Sequence, residues 1–140
     1  MKAFLDTSVL VASFFEDHPH HEPSFALYSS QRKSTACTAA HSLAEFYSTS
    51  TGMPGKRRTN PHEALQFLSA ARERLVLITL GEAEYIDVLD AAAESGIAGG
   101  AIYDALIARC AMKAKAQAIY TWNVRHFQRF AEIADRVREP

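Results

Sequence analysis

The sequence predicts an α/β domain with a central, largely parallel sheet of about four to five strands. Three observations carry that expectation. Short apolar runs rich in β-branched and aromatic residues alternate with longer stretches of helical period, the pattern of strand–helix–strand units. The chain has 140 residues, the length of one domain, and 48% of them are hydrophobic, enough to build a core without a staple. Its two cysteines, Cys37 and Cys110, are isolated in apolar context with no CxxC, which argues against a disulfide scaffold or a zinc knot.

Taken in order, the first strand is Ala3-Phe4-Leu5, ending on Asp6, and a helix over Val9 to Phe15 follows it. Pro23 to Ser30 carries Phe25, Leu27 and Tyr28 at helical spacing. Thr35-Ala36-Cys37-Thr38 is the second strand, and His41 to Thr49 is a short amphipathic helix. Thr51 to Thr59 is a loop: Gly52, Pro54 and Gly55 punctuate it, and Lys56-Arg57-Arg58 concentrate positive charge there. Pro61 to Arg74 has the best-marked start, with Asn60 as N-cap, Pro61 at the first helical position and Glu63 in the first turn. Leu75-Val76-Leu77-Ile78 is the third strand. Glu82 to Glu94 is a helix whose Glu82, Glu84, Asp87, Asp90 and Glu94 form a solvated acidic stripe. Gly99-Gly100 turns the chain into a helix over Ala101 to Ala116. Ala118-Ile119-Tyr120-Thr121 is the fourth strand, and Glu132 to Val137 is the fifth and weakest.

Fifteen Lys+Arg against sixteen Asp+Glu give a formal charge of −1, which excludes a strongly basic nucleic-acid coat while leaving room for a local patch. Asp6 interrupts the opening apolar run before it could serve as a signal-peptide core, and no apolar stretch reaches the ~18 residues of a membrane helix, so a cytoplasmic protein with no membrane partner is expected. There is no GxGxxG after the first strand and no GxxxxGK[ST], which removes the dinucleotide and P-loop readings. A haloacid-dehalogenase-type phosphatase needs a second acid two residues after the first, where Ser8 stands. A receiver domain needs a phosphoacceptor Asp after a central strand, where Thr79 stands.

Ligands of open parallel sheets bind beyond the carboxyl ends of the strands, so Asp6, at a strand-to-helix junction, is a candidate site residue, although an N-cap role would also explain it. Glu45 shares the polar side of its helix with His41, Ser42 and Thr49, as a merely solvated residue would. Asp104 falls at the edge of an apolar arc beside Ala108 and Ala111, where a carboxylate is costly unless a cation or donor meets it. Arg109 points to a different side of the helix. Asn123 follows the fourth strand and could instead cap the next helix. If the sheet gathers these residues at one end, three acids and an amide oxygen form the hard-oxygen set that Mg²⁺ or Mn²⁺ prefers. His18-Pro19-His20-His21 lacks the partner ligands of a closed zinc site, and Trp122 is open to a packing or a base-stacking role.

Four segments together, Asp6-Thr7-Ser8-Val9-Leu10, Leu43-Ala44-Glu45-Phe46-Tyr47, Tyr103-Asp104-Ala105-Leu106-Ile107-Ala108 and Thr121-Trp122-Asn123-Val124-Arg125-His126-Phe127, resemble in order the motifs of the PIN-domain ribonucleases, most closely the VapC-like toxins of bacterial type II toxin–antitoxin pairs. Met53-Pro54-Gly55 and Asn60-Pro61-His62-Glu63-Ala64-Leu65 are similar to the same subgroup. The resemblance implies a single three-layer α/β/α PIN domain over residues 1–140 and a Mg²⁺- or Mn²⁺-dependent endoribonuclease that hydrolyses RNA with a metal-activated water. It implies that Asp6, Glu45 and Asp104 bind the metal. Asn123 would occupy a fourth catalytic position that is Asp in many members. An amide keeps the oxygen and removes a charge, so one tightly held ion is expected, with any second arriving with the RNA. Ser8 and Thr121 would orient the acids by hydrogen bonds. Lys56, Arg57, Arg58 and Arg125 are candidate RNA contacts. The implied partners are an RNA substrate, a cognate antitoxin and a second copy of the chain. The competing readings are an inactive PIN-fold module that binds RNA or protein, and a housekeeping RNA-processing nuclease.

Overall fold

The computed structural model describes all 140 residues. Five strands, β1 (Ala3–Leu5), β2 (Ala36–Ala39), β3 (Val76–Ile78), β4 (Ala118–Tyr120) and β5 (Val137–Arg138), form one sheet in the order β3-β2-β1-β4-β5. Every pairing is parallel, with Phe4 opposite both Cys37 and Ile119. Seven helices connect them: α1 (Thr7–Phe14), α2 (His21–Ser29), α3 (Ala40–Thr51), α4 (Pro61–Arg74), α5 (Glu82–Ser95), α6 (Ala101–Lys113) and α7 (Val124–Gln128). Because the chain leaves β1 toward β2 and β3 on one side and returns to β4 and β5 on the other, the strand order reverses at β1. That reversal opens a crevice at the carboxyl ends of β1 and β4.

The three layers follow from the two-residue period of the central strand. Ala3 and Leu5 face a cluster with Val9, Leu10, Tyr28, Phe46, Leu68 and Leu75, which seats α1, α2, α3 and α4 on one side of the sheet. Phe4 faces the other way, into a cluster with Cys37, Ile107, Ala108, Ile119, Phe127 and Ile133, which seats α6 and α7. Both thiols lie in this second region, free and buried, and burial pushes Cys37 and Cys110 up to about 11. The remaining helix, α5, rests on α6 through Val88, Ala105 and Leu106.

The marked helix start is formed as the sequence indicates: Asn60 Oδ1 accepts the Glu63 N–H at 2.9 Å, and Asn60 Nδ2 donates to Glu63 Oε1 at 2.7 Å. Other boundaries move. The first helix begins at Thr7, immediately after its Asp6 cap, and the second at His21. The sixth stops at Lys113, short of Ala116, because Lys115 adopts a left-handed φ of 54°. The fifth strand is displaced to Val137–Arg138: Ile133 is drawn fully into the core, and a 3₁₀ turn over Ala134–Arg136 occupies the predicted strand. Arg136 fixes that turn by donating to the carbonyls of Ala116 and Glu132, each at 2.7 Å. The acidic stripe on α5 is not wholly solvated either. Glu84 meets Lys113 at 2.7 Å and Asp87 meets Arg109 at 4.0 Å, tying α5 to α6. No helix is long and apolar enough to cross a membrane.

Candidate active site

An open cleft of about 500 Å³ lies at the sheet's reversal point, and Asp6, Glu45, Asp104 and Asn123 all line it. Each arrives on a different element. Asp6 is the junction of β1 and α1, and its N–H donates to the Tyr120 carbonyl at 3.0 Å, which pins it to β4. Glu45 comes from α3, Asp104 from the first turn of α6, and Asn123 from the turn after β4.

Asp6 is 3% exposed, and its Oδ2 is held three times: by the Thr121 hydroxyl at 2.8 Å, the Ser8 hydroxyl at 2.9 Å and the Ser8 N–H at 3.4 Å. Its Oδ1 accepts none of these bonds. Burial raises the Asp6 pKa above the ordinary carboxylate range, and the donors of Thr121 and Ser8 only partly oppose that. Glu45 Oε1 accepts from the Thr7 hydroxyl at 2.6 Å, and its Oε2 lies 4.0 Å from His41 Nε2. Burial raises its pKa, Thr7 and His41 oppose, and the charges of Asp6 and Asp104 add to the rise. Asp104 is raised by burial as well, opposed by His126 at 3.7 Å and raised again by Asp6. The charge of Asp6 thus makes the ionisation of both Glu45 and Asp104 harder, and that of Asp104 adds to the effect on Glu45.

Such a cluster calls for positive charge. The donors are oxygens, which suits a hard divalent cation, and the Thr121 and Ser8 bonds to Asp6 all converge on Oδ2 rather than Oδ1. No three His, Cys, Asp or Glu side chains are already gathered as a metal cage. The side chains of Glu45 and Asp104 are 30% and 26% exposed and so open to the cleft, whereas Asp6 is buried.

Ser8 and Thr121, expected to orient the acids, both bond Asp6, and the Ser8 hydroxyl also accepts the Trp122 N–H at 2.9 Å. Asn123 makes no side-chain cap to α7, so its amide is left at the cleft, while its N–H donates to Thr121 Oγ1 at 2.9 Å. The basic candidates stand outside the cleft lining. Arg57 pairs with Asp17 at 2.9 Å, Arg58 donates to the Met53 carbonyl at 3.1 Å, and Lys56 and Arg125 are exposed. Sequence reasoning missed Thr7, His41 and His126 as partners of the acids. It also missed His18 and His20 in the cleft wall. Of these, only the four-residue spacing of His41 and Glu45 on one helix was a readable signal.

The family profile described as PIN domain matches residues 3–133. The chain belongs to the PIN-domain family. A curated relative, ribonuclease VapC27 of Mycobacterium tuberculosis, is 32% identical over 113 residues, covering 81% of this PIN domain's chain and 79% of its own. Among solved structures, Mycobacterium tuberculosis VapC20, described as a sarcin–ricin loop cleaving toxin, superposes with a TM-score of 0.74 at 15% identity, covering 92% of this chain and 95% of that one. VapBC2 from Rickettsia felis, solved with a DNA fragment from its promoter, gives a TM-score of 0.68 at 17% identity over 100% and 99% of the two chains. These structures share the VapC-like PIN fold.

Proposed function

We propose that this VapC-like PIN domain is a Mg²⁺- or Mn²⁺-dependent endoribonuclease and the toxin of a toxin–antitoxin pair. The observation that carries the reading is the convergence of Asp6, Glu45, Asp104 and Asn123 on one cleft, with all three acids raised by burial. The identity to a curated ribonuclease VapC supports it.

When bound, the divalent ion supplies positive charge against the scissile phosphate and acidifies water beside it. The protein's own residues do the rest. Asp6, locked at Oδ2 by Thr121 and Ser8, would hold the ion through Oδ1. Glu45 and Asp104 would complete the ligand set, and a carboxylate whose pKa is raised by burial is a better acceptor for the proton of the attacking water. Asn123 contributes an uncharged oxygen at the mouth, so the site holds one ion tightly and leaves room for phosphate. Ser8 and Thr121 keep Asp6 from turning away, and Thr7 does the same for Glu45.

The partners are RNA, a second copy of the chain and an antitoxin that inserts a basic side chain among the acids, all in the cytoplasm. Structural neighbours solved as VapBC assemblies support the antitoxin. Incubating the purified chain with total RNA and Mg²⁺ or Mn²⁺ tests the activity. Asp6→Ala and Asp104→Ala should each lose cleavage by about a hundredfold or more; equal activity in all three proteins overturns the reading. The amide at Asn123 favours one alternative, a binding module with a weakened site, and a wild type that binds RNA without cutting it would establish that instead. Expression without toxicity, with no small partner gene alongside, would indicate a housekeeping nuclease.

A further inference from the structure

We propose that the imidazole of His20 is a stacking platform for a nucleobase of the strand held at the acid cleft, an inference that rests on the ribonuclease reading. His20 lies flat on Trp122, with ring centroids 3.8 Å apart and an interplanar angle of 9°. Both rings line the cleft that contains Asp6. The lower ring is immobilised. The Trp122 indole N–H donates to the fully buried Ser24 hydroxyl at 2.8 Å, its backbone N–H donates to Ser8 at 2.9 Å, and its body packs on the core. One indole face is therefore taken by His20, and the surface offered to a ligand is the outer face of the imidazole.

The segment carrying His20 is built rather than loose. The His21 ring bonds the Ala12 carbonyl at 2.9 Å, and the His20 N–H donates to His18 Nδ1 at 3.0 Å. The His18 ring sits 5.7 Å away and tilted by 45°, so it is not stacked on His20. No hydrogen bond engages the His20 ring, and the residue is exposed. An exposed imidazole held only by a parallel indole, in the wall of a phosphate-cleaving cleft, matches what a flat base needs for stacking. Stacking is indifferent to base identity, so the platform grips single-stranded RNA without dictating sequence.

The test compares an octameric oligoadenylate with an abasic ribose-phosphate strand of equal length, both fluorescein-labelled, by anisotropy with Ca²⁺ in place of Mg²⁺. Wild type should prefer the adenylate by about fivefold or more. His20→Ala should bring the two affinities close together by weakening the adenylate alone, His20→Tyr should keep the preference, and His20→Lys should not. Retention of the preference in His20→Ala overturns the platform. Rescue by Lys but not Tyr also overturns it, since His20 would then be a phosphate contact. A wild type that cleaves RNA yet shows no preference removes the platform and leaves the nuclease reading intact. A wild type that neither cleaves RNA nor binds either strand removes both.

Discussion

The Thr121 hydroxyl donates to Asp6 Oδ2 across 2.8 Å although 115 positions separate the two residues in the chain. Thr121 Oγ1 also accepts the Asn123 N–H, so one hydroxyl aligns two residues of the cleft. Thr121→Val keeps the shape and deletes both bonds, together with a 3.3 Å contact to the Ser8 hydroxyl. Titration calorimetry with Mn²⁺ should show affinity reduced about tenfold to a hundredfold, and denaturant unfolding should show a loss of about 1–3 kcal/mol. Thr121→Ser should restore the affinity; unchanged Mn²⁺ binding in the Val variant would show that Asp6 needs no such support.

The acids give the metal-free protein a defined pH response. Asp6, Glu45 and Asp104 all have folded pKa values raised mainly by burial, so the folded chain holds their protons more tightly than the unfolded one. Their contribution to stability therefore falls as pH rises from the ordinary carboxylate range through those raised values, and returns on acidification. Glu84 has the opposite sign, lowered by the Gly81 N–H and Lys113, so total stability mixes the two. Asp6→Asn isolates the effect. In EDTA at pH 7 the variant should melt above wild type, with the gap closing as pH falls. Mg²⁺ should raise the wild-type Tm and leave the variant nearly unmoved. A variant less stable than wild type at pH 7 would count against burial as the dominant influence on Asp6.

Asn123 sets the charge of the cleft mouth. Its side chain caps no helix, so Asn123→Asp adds a carboxylate there at little structural cost. Wild type should bind one Mn²⁺ per chain tightly, and the variant should acquire a second, weaker site, both counted by calorimetry. Two tight ions in wild type would refute the assignment of the amide as the limit on metal loading.

The cap at the start of α4 is not part of the cleft lining. Asn60→Ala removes a reciprocal pair of bonds to Glu63 and should cost about 1 kcal/mol, lowering Tm by about 3–5 °C with RNA cleavage unaffected. A shift below one degree would mean that solvent replaces the cap fully.

What could be read from the sequence was what is local. The Asn60-Pro61 start, the run ending on Asp6 and the arc around Asp104 announce themselves within a few neighbours, and the structure keeps each. Phe4 and Leu5 facing opposite layers follows from strand periodicity alone. What could not be read depends on distant segments meeting. Thr7 bonding Glu45, and Trp122 lying under His20, require the order of strands and the path of the turn before α2. The fifth strand was misplaced because Ile133 serves the core from a turn, and a periodic reading cannot separate a buried turn residue from a strand residue.

The sheet order has a consequence for when the cleft comes into being. The central strand β1 is synthesised well before its neighbour β4, which follows only after residue 117 and brings Thr121, Trp122 and Asn123 with it. Until then Asp6 has neither its Thr121 donor nor the Tyr120 carbonyl that anchors it. A nascent chain therefore carries Asp6 and Glu45 before the segment that fixes Asp6 exists, and the cleft takes shape only once residues 118–123 have joined the sheet.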